Sequence, residues 1–212
     1  MEFEYLLHQV SGLPVFSSKL LEVGDVDRAN IQKQLSRWTT AKKVNQLRRG
    51  LYILAEPYRQ IDPHPFLIAN SLISPSYVSM QSALAYYDLI PETVPQVMSM
   101  TSKFRSKVIE SFSGSYRFHH LKDPYFSGFH LVQMDQDQFA YIARPEKALL
   151  DLIYLTKQAQ TKAYLESLRL QNLDQLDLDW MKKTVTGWNS KKLFSAVELL
   201  SDMIKDNHLT QL

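Results

Sequence analysis

The chain has no cysteine and only six glycines among its 212 residues. The first absence excludes disulfides, zinc ribbons and thiol nucleophiles. The second goes with a missing motif class: neither G-x-x-x-x-G-K-[ST] nor G-x-G-x-x-G occurs, so no phosphate loop of either kind is present. No apolar run approaches the ~18 residues expected of a membrane span. The opening MEFEYLLHQV is acidic early and lacks an apolar h-region, so it does not read as a secretory signal, and a cytoplasmic location is expected. One further absence is local. Between Arg28 and Arg49 there is no Asp or Glu, against seven basic residues. The whole chain is nearly neutral, at +2, so the remainder holds 17 of the 24 basic residues against all 22 acids. A cationic segment on a mildly negative body is the electrostatic footprint of a surface that meets phosphates.

Organisation follows from punctuation. Pro57, Pro63 and Pro65 cannot continue a helix and push their predecessors toward extended backbone. They divide the chain into residues 1–56 and 63–212. The first unit reads as three helices and a hairpin. Phe3, Leu6, Leu7 and Val10 recur at helical spacing, and Gly12-Leu13-Pro14 stops that helix. Ser17 or Ser18 can cap a short second helix through Val23, ended by Gly24. Asp27 caps a third, from Arg28 to about Ala41, in which Ile31, Leu35 and Trp38 form one apolar stripe. Strands Val44–Leu47 and Leu51–Leu54 then flank Arg48-Arg49-Gly50, a doubly basic hairpin tip.

The second unit reads as helices over Pro65–Ile73 and Ser79–Tyr87, then five strands: Val97–Thr101, Val108–Phe112, Tyr116–Leu121, Phe129–Met134 and Phe139–Ala143. Short turns predict an antiparallel meander. Helices close the chain, clearest over Pro145–Lys157 and Ser190–Lys205; Leu193, Val197, Leu200 and Ile204 stripe the last, broadened by Phe194 and Leu199. The predicted class is α+β: an N-terminal winged helix-turn-helix, then a larger mixed domain with an antiparallel sheet and C-terminal helices.

The candidate site is the third helix and the hairpin. A major groove ~12 Å wide admits one helix, whose outward side chains reach base edges. Ala29, Lys33, Ser36, Arg37 and Thr40 fall opposite the core stripe, with Lys33 and Arg37 one turn apart. Asn30, Gln32 and Gln34 flank them and suit bases or phosphates. Arg28, Lys42, Lys43, Arg48 and Arg49 suit the backbone or the adjacent minor groove.

The rival reading is a metal-dependent nuclease or nucleotidyltransferase in the second unit. Asp135-Gln136-Asp137 has the spacing used to hold a divalent cation. It falls between two strands, where Asp is a common turn residue. Glu146 and Lys147 are adjacent, hence about 100° apart on a helix, and Pro145-Glu146 is a good helix start. His119 and His120 face opposite sides of a strand, and the six histidines form no zinc set. Ser74, Ser76, Ser79 and Ser82 lack a G-x-S-x-G elbow. No catalytic, metal or cofactor site is expected.

Five strings occur in an order that resembles the AbiEi family of antitoxins, from bacterial abortive-infection toxin–antitoxin operons. They are residues 47–54 (LRRGLYIL), 64–69 (HPFLIA), 76–79 (SYVS) with 82–84 (SAL), 89–92 (LIPE) and 142–151 (IARPEKALLD). The resemblance spans roughly residues 1–155. It implies a winged helix-turn-helix that represses its own operon at an inverted repeat in double-stranded DNA. It also implies a C-terminal domain that counters a nucleotidyltransferase-like toxin without a stable complex. No catalytic set carries over.

Overall fold

A computed structural model describes residues 2–22, 28–103 and 105–210 of this chain. The fold is mixed α+β, with one three-stranded and one six-stranded sheet. The chain opens with α1 (Phe3–Val10), whose Leu6 and Val10 lie one turn apart and are fully buried. Strand β1 (Phe16–Ser17) follows, then a single 3₁₀ turn, Ser18–Leu21. That turn is a correction to the expected α-helix through Val23: Ser17 accepts a hydrogen bond from Lys19 N at 3.3 Å and winds the chain tightly at once. Val23, Gly24 and Asp27 lie outside the described residues. Helix α2 (Arg28–Thr40) buries Ile31, Leu35 and Trp38, as their spacing predicts.

Strands β2 (Val44–Arg48) and β3 (Leu51–Leu54) pair antiparallel, and β1 adds to the other side of β3. Gly50 sits at φ +79°, the positive value this turn demands. Alternation along β3 sends successive residues to opposite faces. Tyr52 and Leu54 join Leu6, Val10, Phe16, Ile31, Leu35 and Trp38 in a small core. Leu51 and Ile53, with Leu47 of β2, enter the larger core of the following unit. The hairpin is therefore packed on both faces. The proline-rich segment after it is tied down: Gln138, almost fully buried, donates to the Asp62 carbonyl at 2.8 Å and accepts from His64 N at 2.7 Å.

Beyond it lie α3 (Pro65–Leu72), β4 (Tyr77–Val78), α4 (Met80–Tyr86), β5 (Gln96–Thr101), β6 (Lys107–Ser111), β7 (Gly114–His120), β8 (Phe129–Met134) and β9 (Gln138–Ala143). The sheet order is β6–β7–β5–β4–β9–β8, and it is not the expected antiparallel meander. Hairpins β6–β7 and β8–β9 are antiparallel, but β5 runs parallel to β7 and β4 parallel to β9. The physical cause is β4. This two-residue strand, with no periodicity to announce it, lies at the centre and pairs with both β5 and β9. Helices α3 and α4 pack against these strands. Helices α5 (Pro145–Leu155), α6 (Lys162–Ser167), α7 (Leu178–Gly187) and α8 (Lys191–Thr210) follow, with α5 against α4, α7 and α8. In α8, Leu193, Val197 and Leu200 are buried, whereas Phe194 is 43% exposed and does not broaden the stripe as expected. Among the described residues no helix is long and apolar enough to cross a membrane.

Candidate nucleic-acid interface

Helix α2 lies across β2 and the 3₁₀ turn so that one edge of it closes a cleft of about 1040 Å³. Arg28, Gln32, Ser36 and Thr40 face this cleft from the helix, at the i, i+4 repeat of one helical edge. Gln46, Arg48 and Arg49 face it from the hairpin, and Lys19 from the 3₁₀ turn. Four cations therefore line the cleft, and among the described residues no Asp or Glu does. The hairpin tip is held in place there: Ser18 N donates to the Gly50 carbonyl at 3.0 Å. Tyr52 forms part of the wall; burial raises its phenol above the ordinary range, and the nearby Arg49 charge pulls the other way.

The expected residues divide into three groups. Arg28, Gln32, Ser36, Thr40, Arg48 and Arg49 are brought together at the cleft. Asn30, Lys33 and Arg37 are exposed, but they sit on the far edge of α2 and do not line it. Gln34 is half-buried, and Lys42 is exposed with left-handed backbone at φ 55°. Lys43 turns away altogether. Its ammonium lies 4.5 Å over the Phe3 ring and it is half-buried, which holds its charge against α1. Two cleft cations carry internal contacts: Arg28 pairs with Glu22 at 3.4 Å, and Arg48 donates to the Ser71 carbonyl at 3.3 Å. Arg48 thus bridges the hairpin and the C-terminal end of α3. Lys19 and Gln46 were missed by sequence reasoning, because they reach the cleft only through β1–β3–β2 pairing. Thr40, for its part, donates its hydroxyl to the Ser36 carbonyl at 3.1 Å.

The carboxylates weighed for metal chemistry are dispersed. Asp135 and Asp137 occupy the β8–β9 turn, and Asp137 accepts from the Gln133 amide at 2.8 Å. Glu146 is buried on α5, accepting from Arg144 Nε at 3.3 Å and from Asp177 N at 2.9 Å. Among the described residues no group of three His, Asp or Glu is placed to hold a metal ion.

A different polar cluster went unforeseen. Lys147 and Asp151, one turn apart on α5, are fully buried and ion-paired. Lys147 also donates to the Tyr77 hydroxyl at 2.8 Å, while Tyr77 and Ser79 donate to Asp151 at 3.0 and 2.7 Å. Burial pushes Lys147 down from its ordinary range, opposed by Asp151; burial and the Asp151 charge push Tyr77 upward. The Phe129 ring stacks on Tyr77 at 4.4 Å and seals the cluster from that side. Each acceptor is used, which is what makes such a buried charge tolerable. The cluster joins β4 to α5, and so joins the strings at 76–79 and 142–151. The only cue in the sequence was a Lys–Asp pair at i, i+4 inside an otherwise apolar helix face. Comparison with known proteins adds no identity: no protein-family model and no curated protein matches the chain.

Proposed function

We propose that this protein is a DNA-binding transcriptional repressor and the antitoxin of an abortive-infection operon, without enzymatic activity of its own. The observation that carries the DNA-binding part is the cleft between α2 and the β2–β3 hairpin, lined by four cations and, among the described residues, by no acid. The order α1, β1, short helical turn, α2, β2, β3, with sheet order β1–β3–β2, is that expected of a winged helix. In this reading α2 enters the major groove with its cleft edge, so Gln32 and Ser36 meet base edges. Lys33 and Arg37, on the outer edge, face the flanking phosphates. Arg49 at the wing tip takes a phosphate or the adjacent minor groove. The antitoxin part rests on the AbiEi resemblance, and its partner is a cytoplasmic nucleotidyltransferase-like toxin countered without a stable complex.

The test is fluorescence anisotropy on a labelled duplex from upstream of the protein's own coding sequence, against a scrambled duplex, over a range of salt. Repression at an inverted repeat predicts tighter binding to the native duplex and a log-affinity that falls linearly with log salt. Equal, salt-insensitive binding to both duplexes contradicts it. For the antitoxin part, co-expression with the toxin from the adjacent reading frame should restore growth, and failure to do so removes that half.

A further inference from the structure

Helix α7 carries two stripes. Met181 and Val185 are buried in the core. Trp180, Lys183, Thr184, Gly187 and the following Trp188 fall at i, i+3, i+4, i+7 and i+8 and line a separate cleft of about 1090 Å³. Phe129 and Tyr87 supply its other aromatic walls. Two glycines shape it. A Cβ at Gly128 would meet Trp180 at 3.1 Å and Lys147 at 3.2 Å, so close packing needs glycine there. A Cβ at Gly187 would meet nothing within 4 Å, so the missing side chain leaves that stretch of the cleft open.

The lining also carries Ser127, His130, Gln175 and Thr184, and its charged groups are in different states. The Arg144 guanidinium lies 5.0 Å over the Trp180 ring and pairs with Glu146 at 3.3 Å, so its charge is matched. Lys183 is exposed on the rim and has no partner among the described residues. The Tyr87 hydroxyl is buried with no hydrogen-bond partner among them. Burial, with the neighbouring Tyr86 and Glu146, pushes Tyr87 up to about 12, so it is a donor at neutral pH.

Aromatic walls select a planar ring. An unmatched rim cation selects an anionic group. We propose that this cleft binds a nucleoside monophosphate, its base stacked along Trp180 and Trp188 and its phosphate on Lys183. The volume lies just above the range of small-molecule sites, roughly 300–1,000 Å³. The proposal does not depend on DNA binding.

Trp180 and Trp188 are two of the three tryptophans, so the ligand reports on itself. The full chain is titrated with AMP, GMP, CMP and UMP by tryptophan fluorescence and by calorimetry, with the matching nucleosides and inorganic phosphate as separate arms. At least one monophosphate is expected to saturate the signal below about 1 mM. Its nucleoside should bind about tenfold more weakly, and Lys183→Ala should weaken the nucleotide by a similar factor. Gly187→Leu should abolish binding by filling the open stretch, in a helix that tolerates leucine better than glycine. Any of four results overturns the proposal: no saturable binding of the four nucleotides, a nucleoside as tight as its phosphate, inorganic phosphate as tight as the nucleotide, or affinity unchanged in both variants.

Discussion

Two regions of this molecule place basic side chains in contrasting surroundings, and they treat charge in opposite ways. Along the α2–hairpin cleft, Lys19, Arg28, Arg48 and Arg49 are exposed to water, and among the described residues no acid lines the groove between them. In the α5–β4 cluster, Lys147 is removed from water and matched by Asp151 and Tyr77. A cation left in solvent costs the fold almost nothing and stays available to a partner. A cation taken into the interior is committed, because its desolvation must be offset by every contact around it. On the proposed function, the same residue type serves recognition in one place and architecture in the other.

The largest effect should come from breaking the committed pair. Lys147→Met leaves Asp151 buried and unpaired and should cost about 3–5 kcal/mol in urea unfolding. The double variant Lys147→Met, Asp151→Leu should recover most of that loss. A single variant that loses less than about 1 kcal/mol would show the cluster to be wet rather than sealed.

Next come the two edges of α2. Gln32→Ala should cost about 1–3 kcal/mol on the native duplex and relax sequence preference. Arg37→Ala should act alike on native and scrambled DNA, lowering the salt slope by about one unit. If Arg37 carries the preference and Gln32 none, the outer edge reads the bases and the cleft does not.

A smaller, pH-dependent effect belongs to the body of the second unit. His119 has a buried Nε2 with no partner among the described residues, and burial with the Arg117 charge holds its pKa below the ordinary 6.5. His64, at the start of α3, is lowered by burial as well. The unfolded chain then binds more protons than the folded one below about pH 6.5, so stability should fall as pH drops through that region. His119→Phe should flatten the decline in melting temperature; an unchanged pH profile would clear His119 of the effect. The least change is expected from Glu22→Gln, which frees Arg28 from an exposed ion pair and should tighten DNA binding by a few-fold at most.

What was legible in the sequence follows from what is periodic. The Ile31–Leu35–Trp38 stripe and the strand Phe129–Met134 are dictated by spacing alone, and both occur where expected. Tyr77-Val78 was not legible as a strand: two residues carry no alternation, and pairing with β5 and β9 supplies the rest. The candidate site was half legible. Periodicity tells which face of α2 is buried, hence that Lys33 and Arg37 are exposed. It does not tell which edge the hairpin closes upon. That depends on β1 pairing with β3, which brings Lys19 and Gln46 in and leaves Lys33 and Arg37 out. Likewise Lys43, one of seven cations in the basic stretch, is diverted onto Phe3 by a contact 40 residues away in sequence.

The central claim is that exposed cations around the α2–hairpin cleft meet DNA, and Arg49 tests it most directly. It lies at the hairpin tip and, unlike Arg48, its side chain makes no hydrogen bond or ion pair among the described residues. The measurement is the salt dependence of binding to the upstream duplex, wild type against Arg49→Ala, with melting temperature alongside. The account predicts an unchanged melting temperature and a log–log slope shallower by about 0.9, the share of one phosphate contact. An identical slope and affinity in a folded Arg49→Ala protein would contradict it.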